Sequence, residues 1–291
     1  IDQTSTEMWN MDVKNSVYSA SLNSKSTTFP IVAGTEGTVA RALYADLIDY
    51  KCDMLLIDEC HMVDIEDIMS DEPKSQYSII INELLKRNPK LRIIGYSGSP
   101  YRGSESIIGA FWKCKLENFD TNYLVGRGYL KPIVFGFGHD NVAYDLSEWK
   151  STGEQGTKEF SSADLTAMQE KILSSGTTTQ RIMLEVQQLA ATRGGVMITC
   201  AGKKHCEEAA KYLPEGSFEI VTDGMSSKKR KVVLDRARAG DCKYLLQVGC
   251  LTTGVNIPML DTIVILRNIG SLTLLTQLIG RGLRTYFKSK R

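Results

Sequence analysis

The sequence predicts an α/β protein made of two parallel-sheet domains in tandem, and three observations carry that expectation. Short apolar, β-rich runs alternate with segments of helical spacing in the first 96 residues and again over residues 179–283, as in strands joined by crossover helices. Between the two halves, over residues 117–163, glycine, proline and polar residues interrupt the alternation. Several apolar runs end in polar or glycine-containing tetrapeptides, which places reactive groups at the carboxyl edge of each sheet, where open α/β sheets bind ligands.

In the first half, residues 17–20, 30–33, 54–57 and 91–96 are the expected buried strands. Residues 38–47 and 77–87 have helical spacing, and Asn88-Pro89 supplies a stop. Alternation of this kind calls for a parallel sheet covered on both faces. Gly126, Gly128 and Pro132 then open a connection that carries one strand at residues 133–137, followed by a polar, mobile loop over 147–162. In the second half, helices are expected at 179–191, 206–213 and 226–239, and strands at 196–200, 218–221, 244–248 and 262–266. Ser271 is placed to N-cap a last helix ending near residue 283. The resulting division is residues 1–116, a connection over 117–165 that includes the first strand of the second domain, and residues 166–291.

Composition narrows the possible functions. A length of 291 residues suits two domains of roughly 150 residues each. The net charge of +1 excludes a broadly basic surface, so nucleic acid would have to be held in a local cleft. No apolar run approaches the ~20 residues of a membrane span. The seven cysteines are scattered and form no C-x-x-C pair, which argues against a disulfide framework or structural zinc and for reduced thiols in a cytoplasmic protein.

The most informative stretch is Asp58-Glu59-Cys60-His61, which closes the apolar run Met54-Leu55-Leu56-Ile57. Of two adjacent carboxylates at a sheet edge, one can hold Mg²⁺ and the other can orient or deprotonate a water. A solvated acidic loop at a strand end has the same local sequence. Gly34-Thr35, Ser97-Gly98-Ser99-Pro100 and Thr252-Thr253-Gly254-Val255-Asn256 each follow a further strand. Gln277, Arg281 and Arg284 fall at i, i+4 and i+7 near the end of the last helix, on one face. Arginines are also favoured there by the helix dipole alone, although Gly280 and Gly282 suggest a surface thinned for close approach.

Taken in order, these motifs resemble the superfamily 2 helicases and translocases, in the DEAH-like branch with DECH as the variant, and most of all bacterial and phage DNA-repair or restriction-type ATPases. The resemblance runs from Ile1 to Arg284. It implies two RecA-like domains, with ATP and Mg²⁺ in the cleft between them and a nucleic acid, DNA rather than RNA, across both. It assigns Asp58 to the metal, Glu59 to the attacking water, and His61 to a link with the second domain. Gln277, Arg281 and Arg284 become the catalytic set that neutralises the transferring phosphate. Ser97 and Ser99 would couple hydrolysis to strand movement, with Gly98 where the family usually has Ala. Gly34, Thr35, Thr253 and Gly254 would touch the nucleic-acid backbone. Asn256 stands where an Asp is common, as a possible ribose contact.

No G-x-x-x-x-G-K-[ST] loop occurs; Gly202-Lys203-Lys204 lacks both the first glycine and the hydroxyl. The resemblance therefore implies truncation ahead of Ile1, an incomplete first domain with apolar faces left uncovered, and little ATP turnover by this chain alone. Two other readings stay open: a catalytically silent binding module that keeps both domains, and a metal-dependent nuclease using Asp58 and Glu59.

Overall fold

The computed structural model describes residues 1–98, 100–102, 105–136, 142–149, 159–249, 257 and 259–285, with backbone alone at 101, 102, 105 and 227. It forms two compact units, Ile1–Lys115 and Leu116–Arg291.

In unit 1, α1 (Asp2–Asn10) leads into β1 (Ser16–Ser19), β2 (Ser24–Lys25) and β3 (Val32–Gly34). There follow α2 (Glu36–Ala42), β4 (Met54–Ile57), α3 (Ile65–Ile68), α4 (Gln76–Arg87), β5 (Arg92–Gly95) and a hairpin of β6 (Tyr101–Arg102) and β7 (Glu105–Ser106). The strands divide into separate sheets. β1 pairs in parallel with β3 and antiparallel with β2, whereas β4, among the described residues, pairs in parallel with β5 alone, Ile57 opposite Gly95. Two adjoining cores fill the unit, one around Tyr18, Leu43, Ile80 and Leu84, the other around Ile57, Cys60, Val63, Ile81 and Trp112.

The expected cover on both faces is absent at β4. Leu55 and Ile57 turn inward, while Met54 is 47% and Leu56 52% exposed. Strand side chains alternate between faces, and in this unit the core lies against only one of them.

Unit 2 opens with α5 (Thr121–Gly126), α6 (Ser162–Leu173) and α7 (Thr178–Leu189). Strand and helix then alternate through β8 (Gly195–Thr199), α8 (Lys203–Ala210), β9 (Phe218–Val221), α9 (Ser227–Ala239) and β10 (Tyr244–Gln247), ending in β11 (Leu260–Ile265) and α10 (Leu272–Gly282). All pairings in its sheet are parallel, in the order β11-β8-β10-β9. β8 and β10 are buried along their whole length. Val196, Ile198 and Leu246 pack with Met183, Cys206 and Ala209 on one face; Met197 and Leu245 pack with Val233, Ala237 and Leu278 on the other. Helices on both faces leave the carboxyl edge of this sheet as the open one.

Of the strand expected at 133–137, residue 137 lies outside the described residues, and residues 131–136 carry no strand, with Ile133, Val134 and Phe135 exposed. Pro132 has no N–H to give a ladder, and the Lys131 N–H is committed to the Leu283 carbonyl at 2.7 Å. The first strand of unit 2 among the described residues is β8, and the expected connection over 117–165 contains α5 and the start of α6.

Candidate functional site

At the end of β4, pairing with the β5 side continues past the strand. Tyr96 N–H donates to Ile57 O at 2.8 Å, and Cys60 N–H donates to Tyr96 O at 2.9 Å. Between these two bonds Glu59 adopts a left-handed backbone, φ 51°, which costs a non-glycine residue about 1–2 kcal/mol. Cys60 holds the turn down: its side chain is buried with Ile57, Val63 and Trp112, and burial pushes its thiol above the usual range. With Cys60 turned inward, Asp58 and Glu59 stay at the surface and Asp58 Oδ1 accepts from the Glu59 N–H at 3.0 Å. His61 is buried, its Nδ1 2.8 Å from Ser97 Oγ and 3.4 Å from Glu59 Oε2. Thus Glu59, His61 and Ser97 form one contact set beside Asp58, as their places at neighbouring strand ends require.

The electrostatics there are negative. Burial raises the Tyr77 phenol above its ordinary value, and the carboxylates of Glu36, Asp58 and Glu59 raise it further. Among the described residues no three His, Cys, Asp or Glu side chains converge on a metal. Mg²⁺ arriving with phosphates needs only one or two carboxylates, and Asp58 fits that donor set.

Gly34 and Thr35 lie where β3 enters α2. A Cβ on Gly34 would sit 2.5 Å from Val39 Cγ2, so this glycine lets helix and strand approach each other. Thr35 Oγ1 is 2.8 Å from Thr38 Oγ1 and 3.4 Å from Ser19 Oγ, and Thr38 Oγ1 accepts from the Ala20 N–H at 3.1 Å. These hydroxyls line the carboxyl ends of β1 and β3.

In unit 2, Gln277 and Arg281 lie one turn apart on α10, both half-buried. Arg284 departs from the expected helical face. The helix ends at Gly282, and Arg284 enters an antiparallel bridge with Leu130, where burial lowers its guanidinium from the ordinary value. Gly282 is placed for close approach, since a Cβ would meet Ile263 Cγ1 at 2.9 Å. Gly280 is not: a Cβ there meets nothing within 4 Å. Ser99, Thr253, Gly254 and Asn256 lie outside the described residues.

The sequence reading missed the groups that hold the entrance of α10: Glu159, Arg267 and Asn268. Glu159 Oε1 accepts from Arg267 Nη1 at 2.9 Å and its Oε2 from the Ser271 N–H at 3.3 Å. Arg267 and Asn268, directly after the apolar run 262–266, carry a local sequence signal, whereas Glu159 falls in the stretch whose polar composition predicts a mobile loop.

Residues 178–286 match the family described as helicase conserved C-terminal domain. A Saccharomyces cerevisiae protein named as a candidate ATP-dependent helicase, IRC3, is 24% identical over 205 residues, 68% of this chain and 28% of its own length. The chain thus spans little more than a quarter of that relative. Among solved structures, a fragment of a candidate HsdR subunit of a type I restriction enzyme from Vibrio vulnificus aligns over 93% of this chain and 47% of its own, at 16% identity and a TM-score of 0.60. The Mycobacterium smegmatis helicase Lhr, solved with single-stranded DNA and AMP-PNP, aligns over 94% and 34%, at 10% identity and a TM-score of 0.52. At such identities the likeness is one of fold, and the fold is RecA-like α/β. No helix among the described residues is long and apolar enough to cross a membrane.

Proposed function

We propose that this chain belongs to an ATP-dependent nucleic-acid translocase or helicase of superfamily 2, DEAH-like with a DECH motif and related to DNA-repair or restriction-type motors. The observation that carries the reading is the hydrogen-bonded set at Asp58-Glu59-Cys60-His61 and Ser97, on a chain whose residues 178–286 match a helicase C-terminal domain. A turn that accepts a left-handed Glu59 to keep two carboxylates exposed and one imidazole buried on a serine is costly to maintain without chemistry to serve.

In this reading ATP is the fuel and DNA the favoured track. Asp58 holds Mg²⁺, which when bound supplies positive charge to the phosphates. Glu59 orients and deprotonates the attacking water. The His61–Ser97 contact passes the state of the acid turn to the segment after β5, where Ser99 would act with Ser97. Gln277, Arg281 and Arg284 are the groups assigned to stabilise charge on a transferring phosphoryl group. Gly34 and Thr35, with Thr253 and Gly254, contact the nucleic-acid backbone, and Asn256 the ribose. The phosphate-cradling loop is absent from this chain, so turnover is assigned to a longer protein that supplies it.

The test is Glu59→Gln in that longer protein. ATP turnover is expected to fall by about 10²–10⁴ with ATP binding retained; undiminished turnover would remove Glu59 from this role and the reading with it. A catalytically silent nucleic-acid-binding module is the second reading, favoured by the missing Gly-Lys-Ser/Thr loop. It predicts DNA binding indifferent to ATP, whatever residues surround this chain.

A further inference from the structure

The helix that carries Gln277 and Arg281 is fastened at both ends by chain that precedes the unit 2 sheet. At its exit, the Lys131 N–H donates to Leu283 O at 2.7 Å, Leu130 bridges Arg284, and the Thr285 hydroxyl donates to Tyr129 O at 3.0 Å. At its entrance, Asn268 Nδ2 donates to the carbonyls of Leu146 and Trp149, both at 3.0 Å. Glu159 there collects Arg267 Nη1 at 2.9 Å, the Ser271 N–H at 3.3 Å and the Gly270 N–H at 3.5 Å. Arg267 is only 6% exposed, and its Nε has no partner among the described residues. A buried guanidinium needs an opposite charge, and Glu159 supplies one. The same carboxylate lies against the N–H groups of the N-cap Ser271 and of Gly270 before it, at the end of α10 where the helix dipole favours an anion.

We propose that Glu159 is a positioning residue, which with Asn268 fixes where α10 begins and so where Gln277 and Arg281 are presented. Tyr129, Leu130 and Lys131 at its exit, and Leu146, Trp149 and Glu159 at its entrance, then set the seat of the arginine helix. What the helix does rests on the proposed function; how it is held does not.

Amide hydrogen exchange of the 291-residue chain tests this without any turnover. Glu159→Ala is expected to accelerate exchange across residues 272–282 by about tenfold or more while β8 and β10 keep their rates. Glu148→Gln, at an exposed partner of Lys171, is expected to change neither. Unchanged exchange in α10, or uniform acceleration of the whole unit, would overturn the proposal. The double variant Glu159→Ala/Arg267→Met removes the buried charge as well. It is expected to regain thermal stability while α10 stays fast; if protection of α10 returns with stability, Glu159 merely neutralises Arg267 and positions nothing. In the longer protein, Glu159→Ala is expected to lower kcat with the KM for ATP unchanged. A wild-type protein that turns over no ATP refutes the functional reading, and the exchange result still decides the positioning.

Discussion

Gly95 lies directly beneath the acid turn: a Cβ there would sit 2.6 Å from both Cβ and Sγ of Cys60 and 2.8 Å from Trp112 Cη2. Cys60 and Trp112 belong to one packed core with Ile57 and Ile81, so neither can yield freely. Gly95→Ala is therefore expected to destabilise unit 1 by about 1–3 kcal/mol, the usual result of overpacking, and to lift the turn enough to weaken the His61–Ser97 contact. Gly98→Ala, three residues past β5, is the matched control. A Cβ there meets nothing within 4 Å, and its unfolding free energy from a urea titration should stay within about 0.5 kcal/mol of wild type. Equal midpoints for the two variants would mean that Gly95 is not a packing glycine. Asp58 and Glu59 were legible because an apolar run ending in acids is a local pattern. The need for Gly95 was not, since it arises only when β5 is laid beside β4.

Among the elements, Arg87 at the end of α4 shows how one side chain can finish a neighbouring helix. Its Nη2 donates to Leu43 O at 2.7 Å, and its Nη1 to Leu47 O at 2.7 Å and Tyr50 O at 3.3 Å. The apolar spacing of residues 38–47 suggested a helix throughout, yet α2 stops at Ala42 and the chain continues in turns. The carbonyls freed there are bound by a planar guanidinium fork. Arg87→Ala leaves them half-buried without that donor and is expected to cost unit 1 about 1–3 kcal/mol in a urea titration. Arg87→Lys should recover only part of this, because an ammonium cannot reproduce the fork; full recovery would show that charge alone suffices. The same contrast governs legibility across the fold. Met54–Ile57 and Phe218–Val221 are strands with the expected bounds, since apolar runs and their stops are local. Ser271 caps α10 as its sequence position suggests, accepting from the Leu274 N–H, and Ser226, expected as the first residue of its helix, caps α9 by accepting from the Lys229 N–H. The missing strand over residues 133–136, the departure of Arg284 from its helix and the division of unit 1 into separate sheets all turn on which distant partner takes a backbone group. Periodicity does not encode that choice.

At the scale of the whole molecule, two units with different interiors should respond differently to acid. His205 is fully buried in unit 2, and its Nδ1 accepts from the Ala201 N–H at 3.2 Å while its Nε2 lies 3.3 Å from the Tyr144 hydroxyl, which donates to Thr179 Oγ1 at 2.9 Å. These contacts join the helices and strand ends of one face through a neutral imidazole. Burial lowers its pKa to about 4 from 6.5, with Glu208 opposing the shift. An unfolded chain therefore takes up this proton at a higher pH than the native unit does. Stability from this group is complete above about pH 6.5 and falls as pH drops toward 4, in total by roughly 3 kcal/mol. The amides of β8 and β10, which exchange only when the unit opens, are the measure. After correction for intrinsic rates, their opening free energy should decline between pH 6.5 and 4.5 in the wild-type chain. His205→Asn keeps an acceptor near the Ala201 N–H and removes the titrating ring, so its decline over that window should be shallower. Parallel slopes for the two proteins would show that the imidazole is protonated or hydrated in the native unit, and that the face joining α7 and α8 to the sheet is not sealed around it.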